Sequence, residues 1–208
     1  MQNPIEIRKD KDGIERRLAG EVRMDGGATD GKTGMLVGHA AVFNTPADIG
    51  GFFREQIAPG AFTAAIQNDD VRALIDHNSS LVLGRNRAGT LRLAEDERGL
   101  RVEIDPPDTS YAKDLIVSMK RGDITQMSFG FRALKETWDE EQDPPLRTIV
   151  KAELFDVSPV TFPAYAETQI SVRAFQQAGE ILKRSNPSTA AIAAKMRMKQ
   201  GLLERGIR

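Results

Sequence analysis

Three side chains of types suited to hydrolytic chemistry occupy telling positions in this 208-residue sequence. His77 ends the apolar run Leu74-Ile75 and precedes the polar stretch Asn78-Ser79-Ser80. A strand end holds an imidazole firmly while leaving one edge free, as a general base working near neutral pH requires. The plainer alternative is a histidine that is simply hydrogen-bonded where a strand turns. Ser128 lies in Gln126-Met127-Ser128-Phe129-Gly130-Phe131, where strand alternation turns Met127, Phe129 and Phe131 to one face and Gln126, Ser128 and Gly130 to the other. A small hydroxyl, followed two residues later by a glycine that leaves room for a peptide, suits a nucleophile, provided a base lies within reach. Glu153, in Lys151-Ala152-Glu153-Leu154-Phe155-Asp156-Val157, sits among apolar neighbours, where a carboxylate is costly to bury unless it accepts a hydrogen bond, for example from an imidazole Nδ1–H. It could orient a base. A salt bridge is an equal reading, and Asp156 or Asp76 could play the same part.

Two other features carry less. Gly26-Gly27-Ala28-Thr29-Asp30-Gly31-Lys32-Thr33 has the letters of a phosphate-binding loop, but that loop needs a buried strand before it and a helix N-terminus after it. Here the preceding Glu15 to Arg23 is highly charged and the following Met35 to Phe43 reads as strand, so a glycine-rich hairpin loop is expected. His39 lies inside that strand and reads as packing.

Composition narrows the chemistry. There is no cysteine, which removes disulfides, thiolate metal sites and a cysteine nucleophile together. Two histidines are too few for a His-rich zinc site, and neither a metal nor any other cofactor is expected. The 29 basic and 30 acidic residues nearly cancel, giving no electrostatic case for direct nucleic-acid binding. No apolar run approaches the roughly 20 residues of a membrane helix, and the charged N-terminal segment lacks a signal-peptide core. A soluble, intracellular protein is therefore expected.

The elements that must position these residues are mostly short strands. Alternating apolar positions predict strands over Ile14–Met24, Met35–Phe43, Val71–His77, Thr90–Ala94, Leu100–Ile104, Gln126–Leu134, Thr148–Asp156 and Pro159–Phe162. Glu95 to Gly99 reads as a hairpin loop and Trp138 to Pro145 as a longer exposed one. A short helix is expected over Gly60–Gln67. A clearer one runs from Tyr111 to Lys120, with Asp108 or Thr109 as N-cap, a stripe of Ala112, Leu115, Ile116 and Met119, and Gly122 as its stop. The fold class is thus mainly β with flanking helices (α+β). Residues 174–208 differ: they carry seven basic side chains against two acidic ones and read as two helices broken at Ser185-Asn186-Pro187-Ser188. The expected division is a domain over residues 1–173 and a basic helical tail over 174–208.

Taken together, six blocks resemble the prohead (capsid maturation) serine protease family of tailed bacteriophages: Gly38 to Asn44, Ile57 to Phe62, His77-Asn78 with Leu83-Gly84-Arg85, Gly89 to Leu93, Arg121 to Ile124 with Met127 to Phe131, and Glu153-Leu154 to Tyr165. The first block usually has an aromatic where this chain has His39, which argues against a catalytic His39. The resemblance implies a serine endopeptidase with an assemblin-like antiparallel β-barrel, distantly similar to the herpesvirus maturation proteases. It implies His77 as base and Ser128 as nucleophile; Glu153, with Asp156 in reserve, is assigned as the third catalytic residue. The implied substrate is a scaffolding protein or the scaffolding segment of the major capsid protein, inside the immature procapsid in the host cytoplasm. The portal and further copies of the chain are candidate partners, and the basic tail a targeting element removed by self-cleavage. The alternative is a non-catalytic β-barrel that assists capsid assembly.

Overall fold

A computed structural model describes residues 14–25, 34–49, 51–161 and Glu180. Ten strands form one sheet: β1 (Glu15–Asp25), β2 (Met35–Val42), β3 (Ala47–Ile49), β4 (Phe53–Ile57), β5 (Arg72–Ile75), β6 (Asn78–Arg85), β7 (Leu91–Glu95), β8 (Gly99–Ile104), β9 (Gln126–Asp139) and β10 (Leu146–Val160). Helix α1 (Thr63–Asn68) lies between β4 and β5, and α2 (Ser110–Arg121) between β8 and β9. The pairing order is β3-β4-β10-β9-β1-β2-β8-β7, with β5 pairing β10 and β6.

This topology corrects the expected antiparallel barrel. Among the described residues no pairing joins β3 to β7, the end of β2 meets β4 only through the isolated parallel bridge of Phe43 with Ile57, and β10 has parallel as well as antiparallel neighbours. The physical reason is that β4 and β5 both run with β10, the chain passing from one to the other through α1 without reversing direction. One edge of β10 is therefore shared end to end, by β4 over Leu146–Ile149 and by β5 at Asp156 and Val157. The other edge pairs with β9 along its whole length. The mainly β, α+β class holds.

The core forms where alternation predicts it. Met127, Phe129 and Phe131 are fully buried, Phe129 packs edge-on to Phe62 and against Phe131, and α2 buries Ala112, Leu115, Ile116 and Met119. Gly122 ends α2 at φ 82°, where its N–H donates to the Met119 carbonyl and that of Asp123 to the Ser118 carbonyl.

Three strands were not expected, and β4 shows why. Its inward positions are Phe53, Glu55 and Ile57, so a charge occupies a core position and breaks the apolar pattern. Glu55 meets Arg17 and Arg147, and these join Glu15 and Glu136 in a network of two guanidiniums and three carboxylates. Burial alone would raise the Glu15 pKa, but Arg17 and Arg147 lower it to about 2. Trp138, expected in a loop, belongs to β9 and packs edge-on to Phe53. Thr148–Asp156 and Pro159–Phe162, expected as two strands, are one continuous β10 as far as Val160.

The phosphate-loop letters at 26–33 lie outside the described residues. They join β1 and β2, which pair antiparallel with Asp25 opposite Met35, so the strand-then-helix setting of a phosphate loop is missing. The domain boundary at 173 and the tail over 174–208 also lie outside the described residues, apart from Glu180. Among those residues no helix is long and apolar enough to cross a membrane.

Candidate active site

Three adjacent strands, β5, β10 and β9, bring together residues that are far apart in sequence. The β9–β10 register sets Ser128 directly opposite Ser158 and Gly130 opposite Asp156. On the other side of β10, the parallel alignment of β5 carries its C-terminal end to the same level, and His77 follows in the turn to β6. Asp76 and His77 both take left-handed backbone, at φ 50° and 57°, a conformation costing non-glycine residues about 1–3 kcal/mol each. The fold holds this turn in place. The Asp76 N–H donates to the Pro159 carbonyl, while its carboxylate accepts from the Thr161 N–H at 2.7 Å and the Thr161 hydroxyl at 2.8 Å.

The result is a continuous chain of hydrogen bonds. His77 Nε2 is 2.7 Å from Ser128 Oγ, and His77 Nδ1 is 2.5 Å from Asp156 Oδ2. A carboxylate accepts, so Nδ1 carries the imidazole proton and Nε2 is left to accept from the Ser128 hydroxyl. Ser158 Oγ also donates to Asp156 Oδ2, at 2.7 Å. Ser128 is 1% exposed and Ser158 0%, so the face expected to be open at Ser128 is covered. This geometry can move a proton from Ser128 to His77 while a fixed carboxylate stabilises the resulting imidazolium.

Glu153 is placed elsewhere. It stands opposite Arg132, and its Oε2 pairs with Arg132 Nη1 at 2.6 Å, both side chains being about a third exposed (34% and 37%). The carboxylate on His77 is that of Asp156, the residue held in reserve. The cause is a local irregularity: the register slips between Leu154 and Asp156, so Phe155 is an extra residue on β10. A bulge of this kind changes the face of every following side chain. Strict alternation would set Asp156 beside Leu154 in the core. With the slip, Leu154 opposes core-facing Phe131 while Asp156 opposes Gly130 on the Ser128 face.

Gly130 also differs from its expected use. A Cβ built on it would lie 2.4 Å from Asp156 Oδ1, so the space that a side chain would fill is taken by the Asp156 carboxylate rather than left for a peptide. Asp76, the other alternative, clamps Thr161 instead of His77. His39 is not core packing: its Nε2 lies 2.8 Å from Asp96 Oδ2 in a cavity of about 500 Å³ that is also lined by Arg23, Arg98, Arg101, Thr125 and Gln126. Among the described residues no group of three or more His, Asp and Glu side chains converges to hold a metal ion.

Comparison with known proteins gives the family. The family model described as Caudovirus prohead serine protease matches residues 20–181. The prohead protease of Enterobacteria phage HK97 is 34% identical over 146 residues, 68% of this chain and 61% of that protein. The chain therefore spans less than two thirds of that relative's length. No solved structure matches.

Proposed function

The chain belongs to the Caudovirus prohead serine protease family, and on that premise we propose that it is a serine endopeptidase whose nucleophile is Ser128, whose base is His77 and whose orienting carboxylate is Asp156. The observation that carries this reading is the hydrogen-bonded chain Ser128–His77–Asp156, at 2.7 and 2.5 Å. As Ser128 Oγ attacks a peptide carbonyl carbon, its proton passes to His77 Nε2, and the imidazolium is held by Asp156. His77 then gives the proton to the departing amine as the C–N bond breaks, leaving an acyl group on Ser128. Water, deprotonated by the same imidazole, releases it.

The substrate in this reading is a scaffolding protein, or the scaffolding segment of the major capsid protein, inside an immature shell. Confinement there raises the effective concentration of enzyme and substrate together. The net positive segment 174–208 suits docking on an acidic scaffold surface before being trimmed by the enzyme itself.

Intact-mass analysis of the chain and of Ser128→Ala, each alone and each with its capsid or scaffold partner, tests the reading. Trimming of the partner or the tail by the unaltered chain only is the expected result. Equal trimming by both would remove Ser128 from its role, and no trimming by either would favour a non-catalytic assembly factor.

A further inference from the structure

We infer that Ser158 is a positioning residue for this site, acting through Asp156, and that Gly130 is the wall which makes its action effective. The inference rests on the serine endopeptidase reading and adds to it a group outside the nucleophile, base and carboxylate.

Asp156 has to keep a buried carboxylate in one orientation. It is buried between β5 and β9 on the central strand of the site. A carboxylate out of water must be compensated by hydrogen-bond donors, and this one must also hold a single orientation while His77 gains and loses charge. His77 Nδ1–H supplies one donor, to Oδ2. That donor alone leaves the carboxylate free to turn about its own axis. Ser158 supplies the second donor, to the same Oδ2 at 2.7 Å.

Ser158 is well placed for this by its strand. Two residues beyond Asp156, it shares the same face, and its register partner across the hairpin is Ser128 itself. The third constraint is steric: Asp156 Oδ1 lies where a Cβ on residue 130 would stand, 2.4 Å away, so only glycine admits this rotamer. The carboxylate is thus fixed by a donor from β10, a donor from the β5–β6 turn and the bare backbone of β9.

Ser158 is a second hydroxyl beside the nucleophile, yet the geometry gives it no nucleophilic part. It is fully buried, and its proton is directed to Asp156 rather than to an imidazole nitrogen. Its effect belongs to the orientation and solvation of the carboxylate. Outer hydrogen-bond partners of metal-bound histidines are worth about 10- to 100-fold in activity, and the same order is expected for a hydroxyl that orients the carboxylate on His77.

The test is the rate at which a fluorophosphonate probe labels Ser128, a reaction in which the Oγ–P bond forms, the P–F bond breaks, fluoride leaves and His77 takes the hydroxyl proton. Ser158→Ala should label about 10- to 100-fold more slowly than the unaltered chain. Ser158→Thr, which restores a hydroxyl, should recover most of the loss. In an Asp156→Asn background, Ser158→Ala should slow labelling no further, because the group it acts through is already disabled. This coupling separates positioning from packing, since a packing defect would multiply with the Asp156 loss. Unaltered labelling by Ser158→Ala, or full multiplication in the double variant, overturns the inference. Labelling that persists in Ser128→Ala, or fails in the unaltered chain, overturns the underlying serine-protease reading instead.

Discussion

At its start β10 contributes Arg147 to the network with Glu15, Arg17, Glu55 and Glu136; near its end it contributes Asp156 and Ser158 to the cluster with His77 and Ser128. Both clusters are polar, both are buried, and both tie β10 to β9 and to a parallel partner. They differ in how far the chemistry is completed. In the network, guanidinium forks meet carboxylates at 2.5–3.1 Å from several directions, and Arg147 is 1% exposed. Charge-assisted pairs of that density fix strands and leave no group ready to react. In the site, one carboxylate oxygen is shared by His77 Nδ1 and Ser158 Oγ, and the chain of hydrogen bonds ends on the Ser128 hydroxyl, 2.7 Å from His77 Nε2. A buried polar cluster keeps reactive potential only where one member still has a proton to give.

The contrast can be broken from either end. Ser128→Ala should lower peptide hydrolysis by about 10⁴-fold or more while changing stability by about 1 kcal/mol or less, as turnover assays and urea unfolding would read. Asp156→Asn should cost about 10⁴-fold in kcat, because an amide at Nδ1 favours the wrong imidazole tautomer. Arg147→Met should do the reverse: a loss of about 3–5 kcal/mol in urea unfolding, from carboxylates left buried without their cation, with Ser128 still reactive in molecules that remain folded.

Low pH acts on the network. Glu15 has a folded pKa of about 2 against an ordinary value of 4.5. A lowered folded value contributes stability that is fully present above 4.5 and lost as pH falls toward 2. Unfolding midpoints should therefore fall across that window, and Glu15→Gln should flatten this part of the profile while lowering stability at neutral pH. The smallest effect is expected at the partly exposed pair: Glu153→Gln should change kcat by about threefold or less and stability by under about 1 kcal/mol.

The pairing of Glu153 with Arg132 shows where sequence reasoning reaches its limit. Ser128 and its strand face were legible because Met127, Phe129 and Phe131 alternate strictly and occupy the core. His77 was legible as a residue at a strand end, though its left-handed backbone and the Asp76–Thr161 clamp depend on contacts 85 positions apart. Glu153 stands ahead of Asp156 on the resemblance alone; the one-residue slip at Phe155, which leaves no mark in composition, is what turns Asp156 onto the Ser128 face beside Gly130, while Glu153 lies further along that face opposite Arg132. Strands β3, β4 and β6 escaped for related reasons. Glu55 occupies a core position whose partners Arg17 and Arg147 lie 38 and 92 residues away, and β6 opens on the exposed Asn78-Ser79-Ser80. What periodicity cannot convey is compensation between distant charges.

The most direct measurement of the central claim is peptide-mapped mass spectrometry after fluorophosphonate labelling of the unaltered chain, His77→Ala and Asp156→Asn. A single adduct on Ser128, lost in His77→Ala and strongly slowed in Asp156→Asn, is the predicted result. An adduct on another residue, or equal labelling of Ser128 in all three chains, would contradict the assignment of a nucleophile activated by His77 and Asp156.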